Sequence, residues 1–475
     1  MNLSIPSSIR RGLAIAVAGA SIALMPTAVA AEGRPLAAAG APATSAQPCT
    51  VLVPIETDVL DGAKNLRDVR PGNVICLAAG TRGNIRVANL HGTVEQPITI
   101  RNEGGRVLIT GGRFEAAIYI MSSTSLHITG TGVEARCGAA FSVAAQRCGI
   151  EIDGATKGIK VATSRGDVGE LEIDHVGILR VSSDVETRGI AVHPVDRQVI
   201  SGVRIHHNFV SNTGAEGIYI GSEPRDKPFE ELGKVEGVEI AYNRLEQIGW
   251  DGIKMKVSLG GSSVHHNVIR GTGLAGYAKH ESGITVAMSV VDVHSNTVVG
   301  SVEGIKSGRG IDDAANRFYN NIVADVVTFG IETDDIGARV FNNTVVGSQN
   351  VGIRARGDGS LVTENIIADA VEAMIVRGGA SIERGNLIGT SFEVGLADPK
   401  NEDYSLRPES PAVDGGRVVN PTACGRTGMR TARLLNPELD DRNGMSRPRG
   451  CRSDVGALER VPGDRRAEMI RLRRG

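Results

Sequence analysis

Charged and aromatic side chains recur at matching positions in the middle of the chain, each beside a Gly-Ile pair. Glu216 and Asp251 directly precede the glycine, whereas Tyr219 and Lys254 follow it by two residues. Paired carboxylates can bind Ca²⁺, which prefers several oxygen ligands, or act as acid and base in glycoside hydrolysis. A lysine can act as a general base when burial or neighbouring cations lower its pKa. These four side chains form the candidate site if the fold brings them together.

The elements that must position these residues come from an internal repeat. Its frame is seen in residues 205–210 (IHHNFV) and 264–269 (VHHNVI), and an asparagine recurs in that frame at spacings of 21 to 35 residues. The recurring asparagines are Asn208, Asn243, Asn267, Asn296, Asn321, Asn343, Asn365 and, with a looser match, Asn386. Apolar residues alternate with variable ones in both halves of each unit, which is typical of half-buried strands. A unit this short buries its apolar face only by stacking, so the repeat predicts a β-solenoid.

The recurring asparagine has a structural interpretation. Identical side chains repeated along an axis can form a hydrogen-bonded ladder, and we expect one inside a turn of the solenoid. His206, His265 and His294 should form an outward column beside it, as stacked surface residues, with metal binding as the alternative. His207 and His266 are expected to be turn residues.

Aligning the second strands on their glycines predicts two outward columns on one face. The isoleucine after each glycine should point inward, so the residues on either side of it point outward. Neighbouring coils lie about 4.8 Å apart, which makes each column a vertical stripe. The stripes contain Arg188, Glu216 and Asp251 in one column, Tyr219, Lys254 and Lys306 in the other, and His193 and Lys256 two positions further along their strands.

The repeat resembles that of the pectate-lyase-like, right-handed parallel β-helix proteins. The clear match covers residues 173–387, and weaker coils around 98–100, 126–128 and 150–152 extend it towards the N-terminus. We therefore expect an all-β fold, a single-stranded right-handed parallel β-helix over residues 49–395.

The segment after the repeat has a different pattern. The motifs at 403–406 (DYSL), 410–416 (SPAVDGG) and 454–459 (DVGALE) resemble the choice-of-anchor Q type of tail that follows many bacterial secreted β-helices. A solenoid requires caps at its ends, so we expect residues 396–461 to cap the last coil. A basic tail over residues 462–475 follows.

Composition and the N-terminus restrict the class of protein. The 475 residues carry a formal net charge of −2, which argues against nucleic-acid binding because that requires a basic stripe. Residues 1–30 have the arginines, the short apolar stretch and the small residues of a signal peptide, and residues 31–48 read as a flexible leader. We expect a bacterial protein that is either secreted or held in the periplasm or at the cell surface, monomeric and without a transmembrane segment after signal removal.

Export permits disulfides, and six cysteines fall into three close pairs. These pairs are Cys49/Cys76, Cys137/Cys148 and Cys424/Cys451. Sequence alone does not fix the connectivity, because six cysteines allow about 15 pairings. We favour nearest neighbours, each bridging a local loop.

The resemblance implies a carbohydrate-active enzyme, in the first place a polysaccharide lyase that cleaves a uronate-containing glycan by β-elimination. Such a lyase needs a cation to neutralise the uronate carboxylate, a base near the C5 proton and a donor for the leaving oxygen. In this interpretation Glu216 and Asp251 bind Ca²⁺ as a cofactor, Lys254 is the base, and Tyr219 or His280 is the acid. The inserted loop 271–282 carries His280.

The remaining candidate residues would bind the polysaccharide substrate. Trp250, the only tryptophan, stands next to Asp251 and can stack on the apolar face of a sugar. Loops 222–235 and 271–282 are expected to wall a groove. The expected substrate-binding residues are Trp250, Lys256, Lys306, Arg188 and His193.

Three alternatives stay open. Glu216, Asp251 and Glu303 could supply the two carboxylates of a glycoside hydrolase, although the paired-Asp motifs of β-helix polygalacturonases are missing. A C5-epimerase would use the same scaffold. The charged face could also be a solvated surface with exposed ion pairs, on a non-catalytic glycan-binding or surface protein.

Overall fold

The computed structural model describes residues 47–460 except 133–134, 164–165, 167, 183–186, 224–226, 309–310, 312–314, 418–439, 446 and 448–451. The signal peptide, nearly all of the leader, the Cys424/Cys451 pair and the basic tail therefore lie outside the described residues. The described residues form strands and three short 3-10 turns (Val143–Ala145, Phe229–Glu231, Pro399–Asn401), with no α-helix among them.

Sheet A contains two ladders of parallel strands, which diverge from the long strand β5. Its strands in the described residues are β1 (Val51–Val53), β3 (Val74–Arg82), β5 (Ile98–Ile109), β7 (Ser123–Thr129), β8 (Ile150–Asp153), β10 (Val168–Asp174), β11 (Val176–Leu179), β14 (Arg204–His206), β15 (Phe209–Thr213), β18 (Glu239–Ala241), β19 (Arg244–Ile248), β21 (Ser262–His265), β22 (Val268–Arg270), β24 (Val291–His294), β25 (Thr297–Val299), β27 (Arg317–Tyr319), β28 (Ile322–Ala324), β30 (Arg339–Phe341), β31 (Thr344–Val346), β33 (Leu361–Thr363), β34 (Ile366–Ala368), β36 (Ile382–Arg384) and β37 (Leu387–Gly389).

Sheet B is a single parallel ladder on another side of the solenoid. Its strands are β2 (Val59–Asp61), β4 (Ile85–Ala88), β6 (Ile118–Met121), β9 (Ile159–Ala162), β12 (Ile190–His193), β16 (Ile218–Ile220), β20 (Ile253–Lys256), β23 (Ser282–Ala287), β26 (Glu303–Gly308), β29 (Phe329–Thr333), β32 (Val351–Ala355) and β35 (Glu372–Val376). Two small pairs complete the strands, β13 (Val199–Ser201) with β17 (Lys234–Glu236) and β38 (Leu396–Asp398) with β39 (Asp403–Leu406).

The repeat folds as strands because each coil supplies an inward residue at the same register. Ile218 pairs with Ile253, and Ile253 pairs with Ile284, so identical side chains stack along the axis. All three are fully buried in one hydrophobic core that runs from Val53 to Ile367. The all-β, right-handed parallel β-helix expected from the sequence is confirmed.

The expected asparagine ladder is present. Asn243 Nδ2 donates to Asn267 Oδ1 at 3.0 Å and to the carbonyl of Ile205 at 2.8 Å, and the same pattern continues to Asn386. The residue before each asparagine, such as His207 or His266, carries the positive φ that turns the chain. The side-chain amide of each asparagine therefore forms the hydrogen bonds of the ladder. His207 and His266 are turn residues, as expected.

The C-terminal segment lies along the side of the solenoid in its described residues. Val394, Leu396 and Tyr404 pack with outward apolar residues of β28, β31 and β34. Ile382 and Ile388 of the last coil remain 49% and 51% exposed. The cap expected over the last coil is, in these residues, a lateral cover, because the outer face of the three strands is itself apolar.

Two of the expected disulfides are confirmed, Cys49–Cys76 and Cys137–Cys148. The described residues contain no helix that is long and apolar enough to cross a bilayer.

Candidate functional site

The two columns of sheet B have the register expected from the sequence. Tyr219 pairs with Lys254, Lys254 with Thr285, and Thr285 with Lys306, on four successive strands from β16 to β26. Glu216 and Asp251 lie just before β16 and β20. The parallel pairing therefore brings the acidic and basic residues of neighbouring coils side by side.

Lys254 is the centre of a compact ionic group, which we call the Lys254 cluster (Arg188, Glu216, Asp251, Lys254 and His280). Its Nζ lies 3.2 Å from Glu216 Oε1, 3.0 Å from Asp251 Oδ2 and 2.7 Å from His280 Nδ1. Arg188 Nε donates to the other oxygen of Glu216 at 2.8 Å. The second oxygen of Asp251 accepts hydrogen bonds from the strand β23, so each carboxylate is held from two sides.

The two columns point outward but are not the exposed stripes that the sequence suggested. Glu216, Tyr219 and Asp251 are fully buried, and Lys254 is 2% exposed. The loop before β23 places His280 against the cluster, and the side chains of adjacent coils fill the gaps between them. The side chain of His280 is 23% exposed, which makes it the member of the Lys254 cluster most open to solvent.

The environment separates the pKa values of the two carboxylates. Burial raises the pKa of Glu216, but the adjacent His280, Arg188 and Lys254 outweigh burial and lower it to about 2. Burial also raises the pKa of Asp251, and there the attraction of Lys254 is too weak to reverse it. Glu216 is therefore the firmly ionised partner of the two.

Tyr219, an expected acid, is enclosed by the cluster and by the loop after β16. Its hydroxyl donates to Glu223 Oε1 at 2.9 Å, and Lys256 Nζ lies 3.0 Å from the other oxygen of Glu223. Burial and the charge of Glu223 raise the pKa of Tyr219 well above its ordinary value. In this arrangement Tyr219 serves as a hydrogen-bond donor to Glu223 and does not reach the surface.

His193 lies at the edge of the same face. Its ring packs on Tyr219 with centroids 4.5 Å apart, and Nδ1 is 3.1 Å from the carbonyl of Gly221. Burial and the charge of Arg188 lower the pKa of His193 to about 4. The imidazole is therefore neutral near pH 7, with Nδ1–H donated to the carbonyl.

Trp250 does not offer an open ring face. Tyr277 stacks on it with centroids 4.7 Å apart and planes 13° from parallel, and His280 packs against it at 4.7 Å. Trp250 is only 6% exposed, whereas Tyr277 is 51% exposed. The aromatic surface available to a sugar is therefore Tyr277, and Trp250 supports it from below.

Lys306 stands apart from the Lys254 cluster. Its Nζ contacts both oxygens of Glu303 at 3.0 Å, and Ser282 Oγ donates to Glu303 at 2.6 Å. Thr285 separates Lys306 from Lys254 in the column. The structure thus brings together Arg188, Glu216, Tyr219, Asp251, Lys254 and His280, with His193, Lys256 and Lys306 around them.

The sequence did not single out Glu223 or the covering role of Tyr277. Both lie in inserted loops, where no repeat fixes a register. The available signal was local, because Glu223 follows the turn glycine Gly221 by two residues and Tyr277 stands three residues before His280.

The Lys254 cluster contains a metal-type donor set. One donor atom each of Glu216, Asp251 and His280 lies within 4.8 Å of the others. The Lys254 ammonium is within 3.2 Å of all three side chains, so it holds the position between them. Two carboxylates and an imidazole also fall short of the roughly six to eight oxygen ligands that Ca²⁺ takes. The residues present fit an ammonium better than Ca²⁺.

Comparison with solved structures gives distant likenesses. An alginate lyase from Paenibacillus sp. str. FPU-7 is 19% identical, with a TM-score of 0.45 over 71% of this chain and 97% of that one. A PL6 family polysaccharide lyase from Pseudopedobacter saltans is 12% identical, with a TM-score of 0.35 over 76% of this chain and 96% of that one. The A-module of a mannuronan C-5 epimerase from Azotobacter vinelandii is 14% identical, with a TM-score of 0.29 over 67% and 91%.

The family comparison concerns architecture. Residues 185–368 match the family model described as right handed beta helix region. No curated protein sequence matches the chain. The matched residues include the central strands of sheet B and most of the asparagine ladder. Together with the parallel register of both sheets, this match identifies the fold as a right-handed parallel β-helix.

Proposed function

We propose that the protein is an exported polysaccharide lyase that cleaves a uronate-containing glycan by β-elimination on the outer face of sheet B. The observation that carries the proposal is the 2.7 Å contact between Lys254 Nζ and His280 Nδ1, at the point where the buried ionic group meets solvent. It gives the face a positioned imidazole that is connected to a buried proton source.

This contact is the basis on which we assign the position of the proton on the imidazole. Lys254 lies between Glu216 and Asp251, and a lysine ammonium can only donate. We therefore assign His280 Nδ1 as the acceptor in this contact, with the proton of the neutral ring on Nε2. His280 therefore presents an N–H to a bound molecule, which suits the acid role that the sequence suggested for it.

The reaction follows from this assignment. A base removes the C5 proton, the C5–H electron pair forms the C4=C5 double bond, and the C4–O4 bond breaks. His280 Nε2–H gives its proton to O4 as a Lys254 proton moves to Nδ1. We assign the base to Tyr277 acting as its phenolate, which becomes the neutral phenol when it takes the C5 proton; Tyr277 is half exposed, and its ring centroid lies 5.3 Å from that of His280. Lys254 is too deeply buried to take the C5 proton itself.

The cations of the face support an acidic substrate. Arg188, Lys256 and Lys306 are partly exposed, and each is paired with one glutamate. A uronate carboxylate can take the open side of such a pair. We propose that Arg188 supplies the positive charge that the sequence interpretation assigned to Ca²⁺.

The geometry disfavours hydrolysis. A glycosidase needs two carboxylates that face the scissile bond from opposite sides. Glu216 and Asp251 are fully buried, and an ammonium lies between them.

Export agrees with the two disulfides, because such bonds persist mainly in oxidising compartments.

The test is an ultraviolet absorbance assay of the purified protein on a panel of uronate polysaccharides, with and without a chelator. We expect absorbance from unsaturated uronate ends to rise equally in both conditions. His91→Gln, an exposed imidazole elsewhere on the solenoid, is the matched control for imidazole variants.

Other outcomes replace the proposal. New reducing ends without absorbance identify a hydrolase, and solvent exchange at C5 without cleavage identifies an epimerase. Glycan binding without turnover identifies a binding protein. Activity that the chelator abolishes and Ca²⁺ restores returns the cation role to a metal.

A further inference from the structure

A second group of titratable side chains lies outside the face described above, on the first ladder of sheet A. His127 on β7 pairs with Glu172 on β10, and Asp174 on β10 pairs with His206 on β14. These four side chains point outward from three successive strands. We call them the His127 cluster.

The donor atoms of the His127 cluster converge. His127 Nε2 lies 2.5 Å from Asp174 Oδ2, and His206 Nε2 lies 2.8 Å from Glu172 Oε1. His206 Nε2 is also 3.8 Å from Asp174 Oδ2. One atom each of His127, Glu172 and Asp174 lies within 4.8 Å of the others. One imidazole and two carboxylates therefore meet at one point, and the imidazole of His206 lies beside the two carboxylates.

A further set of contacts orients these donors. Asp174 Oδ1 accepts hydrogen bonds from Thr129 Oγ1 and from His175 Nδ1, which leaves Oδ2 for the cluster. His206 Nδ1 is 2.9 Å from His207 Nδ1, so the opposite nitrogen is directed at Glu172. Partners of this kind fix ring orientation and tautomer in metal sites.

The charges around the cluster are unbalanced. The charged neighbours are the carboxylates of Glu172, Asp174 and Glu239 and the guanidinium of Arg204, which lies 3.2 Å from Glu172 and 3.0 Å from Glu239. With neutral imidazoles, three carboxylates against one guanidinium leave two negative charges in excess. A divalent cation bound by Glu172 and Asp174 removes that excess.

We propose that the His127 cluster is a site for one divalent transition-metal ion of the Zn²⁺ class. The ligands are Nε2 of His127 and of His206, with one oxygen each of Glu172 and Asp174. Zn²⁺ commonly takes four nitrogen and oxygen ligands in a tetrahedron, whereas two imidazoles disfavour Ca²⁺ and Mg²⁺. Binding takes the place of the proton between His127 and Asp174, and the neutral imidazole of His127 then carries that proton on Nδ1.

The proposed site has two buried ligands and two ligands that solvent can reach. The side chains of Asp174 and His206 are 5% and 8% exposed, so they form the floor. Those of His127 and Glu172 are 26% and 27% exposed and open to solvent.

The test is a Zn²⁺ titration of the full chain in competition with a chromophoric chelator. We expect one Zn²⁺ per chain, and we expect His127→Gln and Asp174→Asn each to weaken binding more than about 100-fold, because even outer partners of metal ligands contribute up to that factor. His280→Gln and His91→Gln should leave the affinity unchanged. Circular dichroism confirms that each variant is folded.

Two results overturn the proposal. One is a wild-type protein that does not compete with the chelator, and the other is Zn²⁺ affinity that survives His127→Gln but falls in His280→Gln. If the variants fail to fold, the visible spectrum of the Co²⁺-loaded wild-type chain still tests the proposal. Tetrahedral nitrogen and oxygen ligation gives intense visible bands. Their absence contradicts the site. No glycan enters these assays, so their result is independent of the proposed lyase activity.

Discussion

The asparagine ladder and the Lys254 cluster both bury polar groups on neighbouring coils, but they satisfy them differently. In the ladder, every rung donates to the next rung and to a backbone carbonyl, so each member has the same partners. In the Lys254 cluster, each residue is of a different type and has different partners, and the cluster is limited to the few coils around Lys254. The ladder repeats with the fold, whereas the cluster interrupts the repeat.

This difference separates structure from candidate chemistry. A residue type that recurs on every coil is explained by stacking, because stacking needs identical neighbours. Burying a lysine between two carboxylates costs desolvation free energy, and the stacking of the coils does not depend on such a group. The partly exposed imidazole of His280, where that group meets solvent, gives the cluster its candidate catalytic role.

Removing the charge of Lys254 should have the largest effect on stability. Lys254→Met keeps the volume but leaves two buried carboxylates without their shared ammonium, and we expect a loss of about 3–5 kcal/mol in the free energy of unfolding. Lys306→Met is the matched control, since its partly exposed pair should contribute about 1 kcal/mol or less. Denaturant unfolding measures both, and equal small losses would mean that the cluster is not a buried ionic unit.

A break in the middle of the ladder should cost less than Lys254→Met. Asn267→Ala removes the side-chain acceptor of the Asn243 backbone N–H and the amide that donates to the carbonyl of Ile240, for a loss of about 2–3 kcal/mol. Asn386→Ala removes the last, partly exposed rung and should cost about 1 kcal/mol or less, because water replaces it. If both variants unfold alike, the ladder does not act rung by rung.

Acid should destabilise the protein by a smaller amount through Glu216. The folded pKa of Glu216 is about 2, below its usual 4.5, so its contribution is complete above pH 4.5 and is lost as the pH falls towards 2. Glu216→Gln should flatten the dependence of melting temperature on pH in that window. A wild-type slope that the variant leaves unchanged would place the titrating groups elsewhere.

Much of the fold was predictable because the repeat encodes it. The alternation of apolar residues gave the inward isoleucines, and the register of the glycines gave the columns that bring Glu216, Asp251 and Lys254 together. The lateral packing of the C-terminal segment had a signal as well. Residues 322–324, 344–346 and 366–368 (IVA, TVV, IIA) are largely apolar on both faces, which indicates strands covered on both sides.

The surroundings of the site were less predictable, because they lie in insertions. No periodic pattern in the sequence predicts that Tyr277 covers Trp250 or that Glu223 bridges Tyr219 and Lys256. Burial of the outward columns has the same origin. A column position specifies which way a side chain points, and the loops decide whether solvent reaches it.

The most direct test of the account is kcat/KM of His280→Gln on a glycan that the wild-type protein cleaves, with the melting temperature of the same samples. We expect kcat/KM to fall by about 100-fold or more, as for the loss of a general acid, while the melting temperature stays close to that of wild type because the side chain is partly exposed. Turnover that survives in a folded His280→Gln protein would contradict the central role of this imidazole.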